Sequence, residues 1–94
     1  MRTTPVTQVT YGFVWAGRTP YGSHRFNVAR DGYDVGVVDS QVVGDLGYAA
    51  TTLALAEAAR AEPAARVGLV SVQVDPAPTG SPRVIVVVGV SPRH

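Results

Sequence analysis

Residues 24–39 read HRFNVARDGYDVGVVD, and this stretch carries the strongest local fold signal in the 94-residue chain. Asp31 and Gly32 separate two runs in which apolar and polar residues alternate. An Asp-Gly pair in this position is typical of a two-residue β-hairpin turn, in which both turn residues take positive φ angles. The turn predicts four opposed pairs across the hairpin: Arg30 and Tyr33, Val28 and Val35, Phe26 and Val37, and His24 and Asp39.

A strand is also predicted at residues 7–15, TQVTYGFVW, where apolar and aromatic residues recur at every second position. A loop centred on Thr19 and Pro20 connects it to the first strand of the hairpin. The expected register keeps apolar faces together and pairs Tyr11 with Val28, Phe13 with Phe26, and Trp15 with His24. The two hairpins then align one row of side chains across three strands, near the end of the sheet: Trp15, His24 and Asp39.

A helix is predicted at residues 46–62, LGYAATTLALAEAARAE, with Asp45 as its N-cap. Arg60 in the last turn complements the helix dipole, and Pro63 ends the helix. A start at Ser40 is the alternative. The many alanines permit a close approach to a sheet, so we expect this helix to cover the aromatic face.

Two further strands are predicted around residues 67–75 and 83–91, joined by a proline-rich loop. The element order is therefore β-β-β-α-β-β, which defines an α+β fold. A right-handed crossover would return the fourth strand beside the first and parallel to it, giving a mixed five-stranded sheet of order 3-2-1-4-5 with one helix on one face. Residues 1–94 are expected to form one compact domain, with residues 1–5 and 92–94 frayed.

The fifth predicted strand is apolar on both faces, whereas the fourth alternates with polar residues. One helix covers only one face of such a sheet, so a strand that is apolar on both sides needs a second partner. We expect this strand to lie at an edge. With the fourth strand it forms the C-terminal hairpin, and we expect a homodimer interface within that hairpin. The interface residues predicted on this basis are Val84, Val86, Val88 and Val90.

The order of elements over residues 7–75 resembles the first half of the ribonuclease H fold and small antitoxin domains built on that half. A nuclease of that fold would need a carboxylate in the middle of its first strand and another early in its helix. The first strand here carries Gln8, Thr10 and Gly12, and Glu57 comes late in the helix. The resemblance therefore implies a topology and not a nuclease activity.

Composition excludes several other functions. The net charge is +1, and the eight basic residues are all arginines scattered along the chain without a basic stripe, which argues against nucleic-acid binding. The absence of cysteine excludes thiolate catalysis and cysteine-based metal sites, and no cofactor or metal site is expected. Without a recognisable signal peptide or membrane segment, the expected location is cytoplasmic. The preference for Arg, Ala, Val and Gly is typical of GC-rich bacterial genes.

Two functions remain open from the sequence, and whether the chain is an enzyme is undecided. The first is a small non-catalytic binding or assembly module that self-associates through the C-terminal hairpin, with the loop at residues 16–23 available to a partner. The second is a small enzyme or ligand-binding protein in which His24 acts as acid or base and Asp39 orients it. Three residues would then contact the ligand or partner: Trp15, Arg18 and Tyr21.

Overall fold

The computed structural model describes residues 6–77 and 80–93 of the chain. It contains five strands and one helix, which we number in chain order: β1 (Thr7–Arg18), β2 (His24–Arg30), β3 (Tyr33–Asp39), α1 (Leu46–Ala61), β4 (Ala65–Asp75) and β5 (Arg83–Pro92). The predicted element order is confirmed. Of the segments expected to fray, residues 1–5 and 94 lie outside the described residues, and Pro92 is the last residue of β5.

The five strands form one antiparallel sheet of order β3-β2-β1-β5-β4. The expected mixed sheet, with the fourth strand parallel to the first and the fifth at an edge, is wrong in this detail. The physical reason is the coverage of β5. A strand that is apolar on both faces is best covered in the middle of the sheet, whereas β4 carries Ser71 and Gln73 on one face and tolerates an edge. The resemblance to half of a ribonuclease H fold therefore stops at element order.

The hairpin turn between β2 and β3 forms as predicted. Asp31 and Gly32 both have positive φ angles, 48° and 87°, as a two-residue turn requires. The Asp31 carboxylate also accepts a hydrogen bond of 3.0 Å from the backbone N–H of Thr10. The turn is thereby connected to β1, and β1, β2 and β3 form one antiparallel unit.

Helix α1 begins where the sequence indicates. Asp45 is extended, with φ −62° and ψ 143°, and its Oδ2 atom accepts a hydrogen bond of 3.0 Å from the backbone N–H of Tyr48. The alternative start at Ser40 is wrong, because the Ser40 hydroxyl instead accepts from the N–H of Val42 at 2.9 Å in a local turn. Residues 40–45 therefore cross the end of the sheet as an irregular segment before the helix begins.

The core lies between α1 and the sheet. The helix contributes small buried residues, which let it pack close to β4 and β5: Gly47, Ala49, Ala50, Ala54 and Ala58. A Cβ atom on Gly47 would lie 3.3 Å from a Val74 methyl group, so glycine suits this close approach. The sheet contributes the larger buried residues: Val9, Tyr11, Phe13, Phe26, Val28, Val84, Val86 and Val88.

The position of the β5 valines corrects the expected interface. Val84, Val86 and Val88 are fully buried beneath α1, and Val90 is partly buried against the same core. The four valines predicted to meet a partner therefore stabilise the protomer instead. The surface of the C-terminal hairpin is formed mainly by β4.

Val86→Ala tests the central position of β5. Val86 is 0% exposed, so its truncation should lower the free energy of unfolding by about 2 kcal/mol through lost burial and a residual cavity. Val37→Ala on β3 is the matched control, because Val37 is 63% exposed and should cost less than about 0.5 kcal/mol. Chemical denaturation measures both, and equal effects would contradict a buried β5.

Candidate functional site

The predicted catalytic pair depends on the register of β2 and β3, and a β-bulge alters that register. Arg30 lies opposite Tyr33 as expected, but Val28 lies opposite Gly36, which leaves Val35 as an extra residue. Gly36 has φ 117°, and its N–H donates to the Asp34 carboxylate at 3.2 Å. Beyond the bulge, every pairing is displaced by one residue from the predicted one.

The displacement separates His24 from Asp39. Asp39 lies opposite Arg25, and the two form a bidentate ion pair with Nε–Oδ1 and Nη2–Oδ2 distances of 2.7 and 3.0 Å. The hydrogen bonds from the Arg25 guanidinium lower the pKa of Asp39, and the carboxylate raises the pKa of Arg25. Since neighbouring residues of a strand face opposite sides, Asp39 leaves the sheet on the face away from His24. The predicted pairing of His24 with Asp39 is wrong.

The register between β1 and β2 also differs from the expected one, although the faces are kept. Phe13 lies opposite Val28 and Trp15 lies opposite Phe26, two residues from the predicted pairs. A second irregularity follows, between Trp15 and Arg18. The structure still brings Trp15 and His24 together, because the indole N–H of Trp15 donates to His24 Nδ1 at 3.2 Å.

His24 is 4% exposed, and both of its ring nitrogens are engaged. Nδ1 accepts from Trp15, and Nε2 lies 2.6 Å from the backbone carbonyl oxygen of Gly44. A carbonyl oxygen only accepts, so Nε2 carries the proton and the ring is the neutral Nε2–H tautomer. His24 therefore connects β1, β2 and the segment before α1. Neither nitrogen is free to exchange a proton with a substrate in this arrangement.

The loop after β1 is held by its own hydrogen bonds. Arg18 Nη1 donates to the carbonyl oxygen of Gly22 at 2.7 Å, and the buried hydroxyls of Thr19 and Ser23 lie 2.7 Å apart. Of the three predicted contact residues, Trp15 is partly buried and Arg18 is used within the loop. Tyr21 is 92% exposed at the tip and presents its ring to solvent.

Two open clefts lie at opposite ends of the molecule. One, of about 400 Å³, lies between the loop tip and the start of the irregular segment, and is lined by Tyr21, Ser23, Asp39 and Gln41. The other, of about 460 Å³, brings Arg30, Asp31 and Glu62 near the end of β5. Within residues 6–77 and 80–93, no three His, Cys, Asp or Glu side chains come together in a metal-binding group. The helix in this part of the chain is not long and apolar enough to cross a membrane.

Exposed apolar side chains line the β4 edge of the sheet. Four large side chains along this edge strand are between 38% and 51% exposed: Leu69, Val70, Val72 and Val74. Beside them, a groove of about 330 Å³ runs between β4 and the second half of α1, where Leu55 lies near Val67. The sequence analysis placed the association surface on β5. The signal that β4 is the edge strand was its alternation with the polar residues Ser71 and Gln73, which tolerate solvent on one face.

One buried polar atom has no partner among the described residues, the hydroxyl of Tyr11. It lies beneath α1, in a small space lined by Leu53, Glu57 and Arg60 among others. Burial raises the pKa of Tyr11 above its ordinary value. A buried hydroxyl without a hydrogen-bond partner lowers the free energy of unfolding. At Tyr11, the packing of the aromatic ring therefore outweighs the cost of its unpartnered hydroxyl.

Comparison of the chain with protein-family models, curated proteins and solved structures found no match.

His24→Ala should lower the free energy of unfolding by about 2–3 kcal/mol, because it leaves the Trp15 N–H unpartnered and opens space at the sheet end. Trp15→Phe, which removes one hydrogen bond and keeps an aromatic ring, should cost less. Nitrogen NMR of the wild-type imidazole should show the Nε2–H tautomer at neutral pH. Observation of the Nδ1–H tautomer would contradict the assigned hydrogen bonds.

Tyr11→Phe should leave stability at neutral pH unchanged or raise it by about 1 kcal/mol, because it removes an unpartnered hydroxyl. The raised pKa of Tyr11 in the folded chain has a further effect. The preference of the folded chain for the protonated phenol stabilises it fully below the ordinary tyrosine pKa of about 10. This stabilisation is lost as the pH rises through the pKa of the folded chain. The alkaline fall in melting temperature should therefore be smaller in Tyr11→Phe than in the wild type.

Proposed function

We propose that the chain is a small non-catalytic assembly module that binds a second copy of itself through the C-terminal hairpin, with β4 as the contacting strand. The observation that carries the proposal is the apolar edge of β4. This strand has 11 residues, and its large side chains are about half exposed along most of its length. An exposed apolar edge strand is a template for pairing with another strand.

Pairing at this edge satisfies two kinds of group at once. The outward backbone N–H and C=O groups of β4 gain partners, and the half-exposed side chains are removed from water. An antiparallel arrangement of two identical strands has a two-fold axis, so the contact closes at a dimer and leaves no free copy of the same edge. The result would be a continuous ten-stranded sheet.

The groove between α1 and β4 extends the proposed contact. Leu55, Ala59 and Val67 line it on the helix side of the sheet, next to the edge. In a two-fold dimer, the helices of both copies would flank the new strand pair. Apolar helix surface would then contribute toward the roughly 800 Å² per partner that a stable interface buries.

The opposite edge of the sheet is less suited to self-association. β3 has only 7 residues, is interrupted by the bulge at Val35, and carries Asp34 and Asp39 near its two ends. Short length, bulges and charges are features that protect an edge from pairing. Self-pairing of β3 would also bring carboxylates of the two copies close together, which disfavours it.

The alternative function, an enzyme or ligand-binding protein that uses His24 and Asp39, has no geometric observation in its favour. The two side chains lie on opposite faces of the sheet, and each has another partner. Tyr21 at the loop tip stays the predicted contact for a further protein or small-molecule partner, because its side chain is free to touch one.

Leu69→Lys tests the proposed dimer. Sedimentation equilibrium at tens of micromolar should give a dimer for the wild type and at least a tenfold weaker dimer for the variant, because a lysine on an edge strand opposes pairing. Val37→Lys is the matched control, since it places the same charge on an exposed position of the other edge strand and should leave the dimer unchanged.

Circular dichroism should confirm that both variants are folded. A wild-type monomer at these concentrations would contradict the proposed function. Equal loss of the dimer in both variants would contradict the choice of β4.

A further inference from the structure

We infer that the dimer has a single two-fold register, in which Arg66 of each copy lies opposite Asp75 of the partner subunit. This inference rests on the proposed function and specifies its interface. It follows from two independent features of β4, an interruption in the side-chain alternation and the charges at its two ends.

The interruption is a β-bulge at the centre of β4. Leu69 lies opposite Val88 and Ser71 lies opposite Val87, so Val70 is an extra residue in the ladder with β5. Before the bulge, Val67 and Leu69 share the helix side of the sheet with the buried β5 valines. After it, the same side is taken by the even-numbered residues Val72 and Val74.

The bulge restricts how two copies of β4 pair. Opposed residues of an antiparallel pair must lie on the same face, which also brings their outward backbone groups into phase. A pairing along the whole strand meets this condition only when the two bulges lie opposite each other at the two-fold axis. Any other full-length register would place a residue on the helix side opposite a residue on the open face of the sheet, which is the face away from α1.

That register is also chemically self-complementary. It brings together four pairs on each side of the axis: Arg66 with Asp75, Val67 with Val74, Gly68 with Gln73, and Leu69 with Val72. Three features of this register agree. The opposite charges of Arg66 and Asp75 meet at both ends of the strand pair, and apolar residues meet on the helix side. On the open face, Gly68 lies opposite the long polar side chain of Gln73.

The two charged residues are available for this contact. Arg66 and Asp75 are both exposed, and neither forms an ion pair with another of the described residues. One carboxylate oxygen of Asp75 accepts from the N–H of Ala77 at 3.0 Å, which orients the group at the strand end. Arg83 lies opposite Asp75 within the same sheet and adds a positive charge beside it.

Charge reversal tests the inferred register in solution. Arg66→Asp and Asp75→Arg should each weaken the dimer about tenfold, because each replaces two attractive contacts per dimer by two repulsive ones. The double variant should recover most of the wild-type affinity. Arg66→Asp changes the net charge of one copy from +1 to −1, and Asp75→Arg changes it to +3. An effect of net charge alone would therefore leave the Arg66→Asp dimer unchanged and weaken only the Asp75→Arg dimer.

Arg83 makes Asp75→Arg the variant at greater risk of unfolding, and thermal melting of each variant detects that. Arg66→Asp has no such neighbour in the ladder, where it faces Ser91. The charge test therefore does not depend on Asp75→Arg alone. Failure of a folded Arg66→Asp to weaken the dimer would overturn the register.

Disulfide cross-linking reads the register directly, because the chain has no native cysteine. The pair Gly68→Cys with Gln73→Cys should form a covalent dimer on mild oxidation, since directly opposed residues meet the distance that a disulfide requires. The two positions are about 16 Å apart along their own strand, which prevents an internal bridge. Gly68→Cys with Ser71→Cys is the control, because it is two residues out of register and keeps Arg66 and Asp75, and it should cross-link several-fold more slowly.

The outcomes separate the register from the proposed function. A monomeric wild type would overturn both. A wild-type dimer that is lost in Leu69→Lys, but is insensitive to charge reversal or cross-links faster through the control pair, would overturn the register and leave the assembly function standing.

Discussion

The coverage of β5 is the constraint on which the rest of the structure depends. Every second residue of this strand fills the core beneath α1, while the other face is also apolar. A place between β1 and β4 lets neighbouring side chains flank both faces of β5, and Ile85 on the face away from α1 is 40% exposed even there. β4 therefore lies at the edge, the sheet is wholly antiparallel, and half-exposed apolar side chains of β4 line that edge.

The polar residues of the catalytic hypothesis, His24 and Asp39, have structural roles. His24 uses one ring nitrogen for Trp15 and the other for the Gly44 carbonyl, so it connects the sheet to the segment that leads into the helix. Arg25 and Asp39 neutralise each other on the open face. These contacts occupy the residues of the catalytic hypothesis, and the function that we propose instead is association through the β4 edge.

Local chemistry predicted individual elements well. The Asp31-Gly32 turn, the Asp45 cap and the order of all six elements follow from residues that are close in sequence. The pairings across strands were less predictable, because one extra residue at a bulge moves every later side chain to a new partner. Gly36 within an alternating strand was a signal for that bulge. Its effect on the catalytic hypothesis was large, since it brought Arg25 and not His24 opposite Asp39.

The sequence by itself determined where the chain turns, where the helix begins and which strand needs cover on both faces, because these depend on backbone preferences and on the apolar pattern of neighbouring residues. Only the tertiary structure decided the sheet order, the strand registers and therefore which surface is free. These depend on the competition of whole strands for the same covered positions. Local patterns along the chain do not predict which strand takes which of those positions.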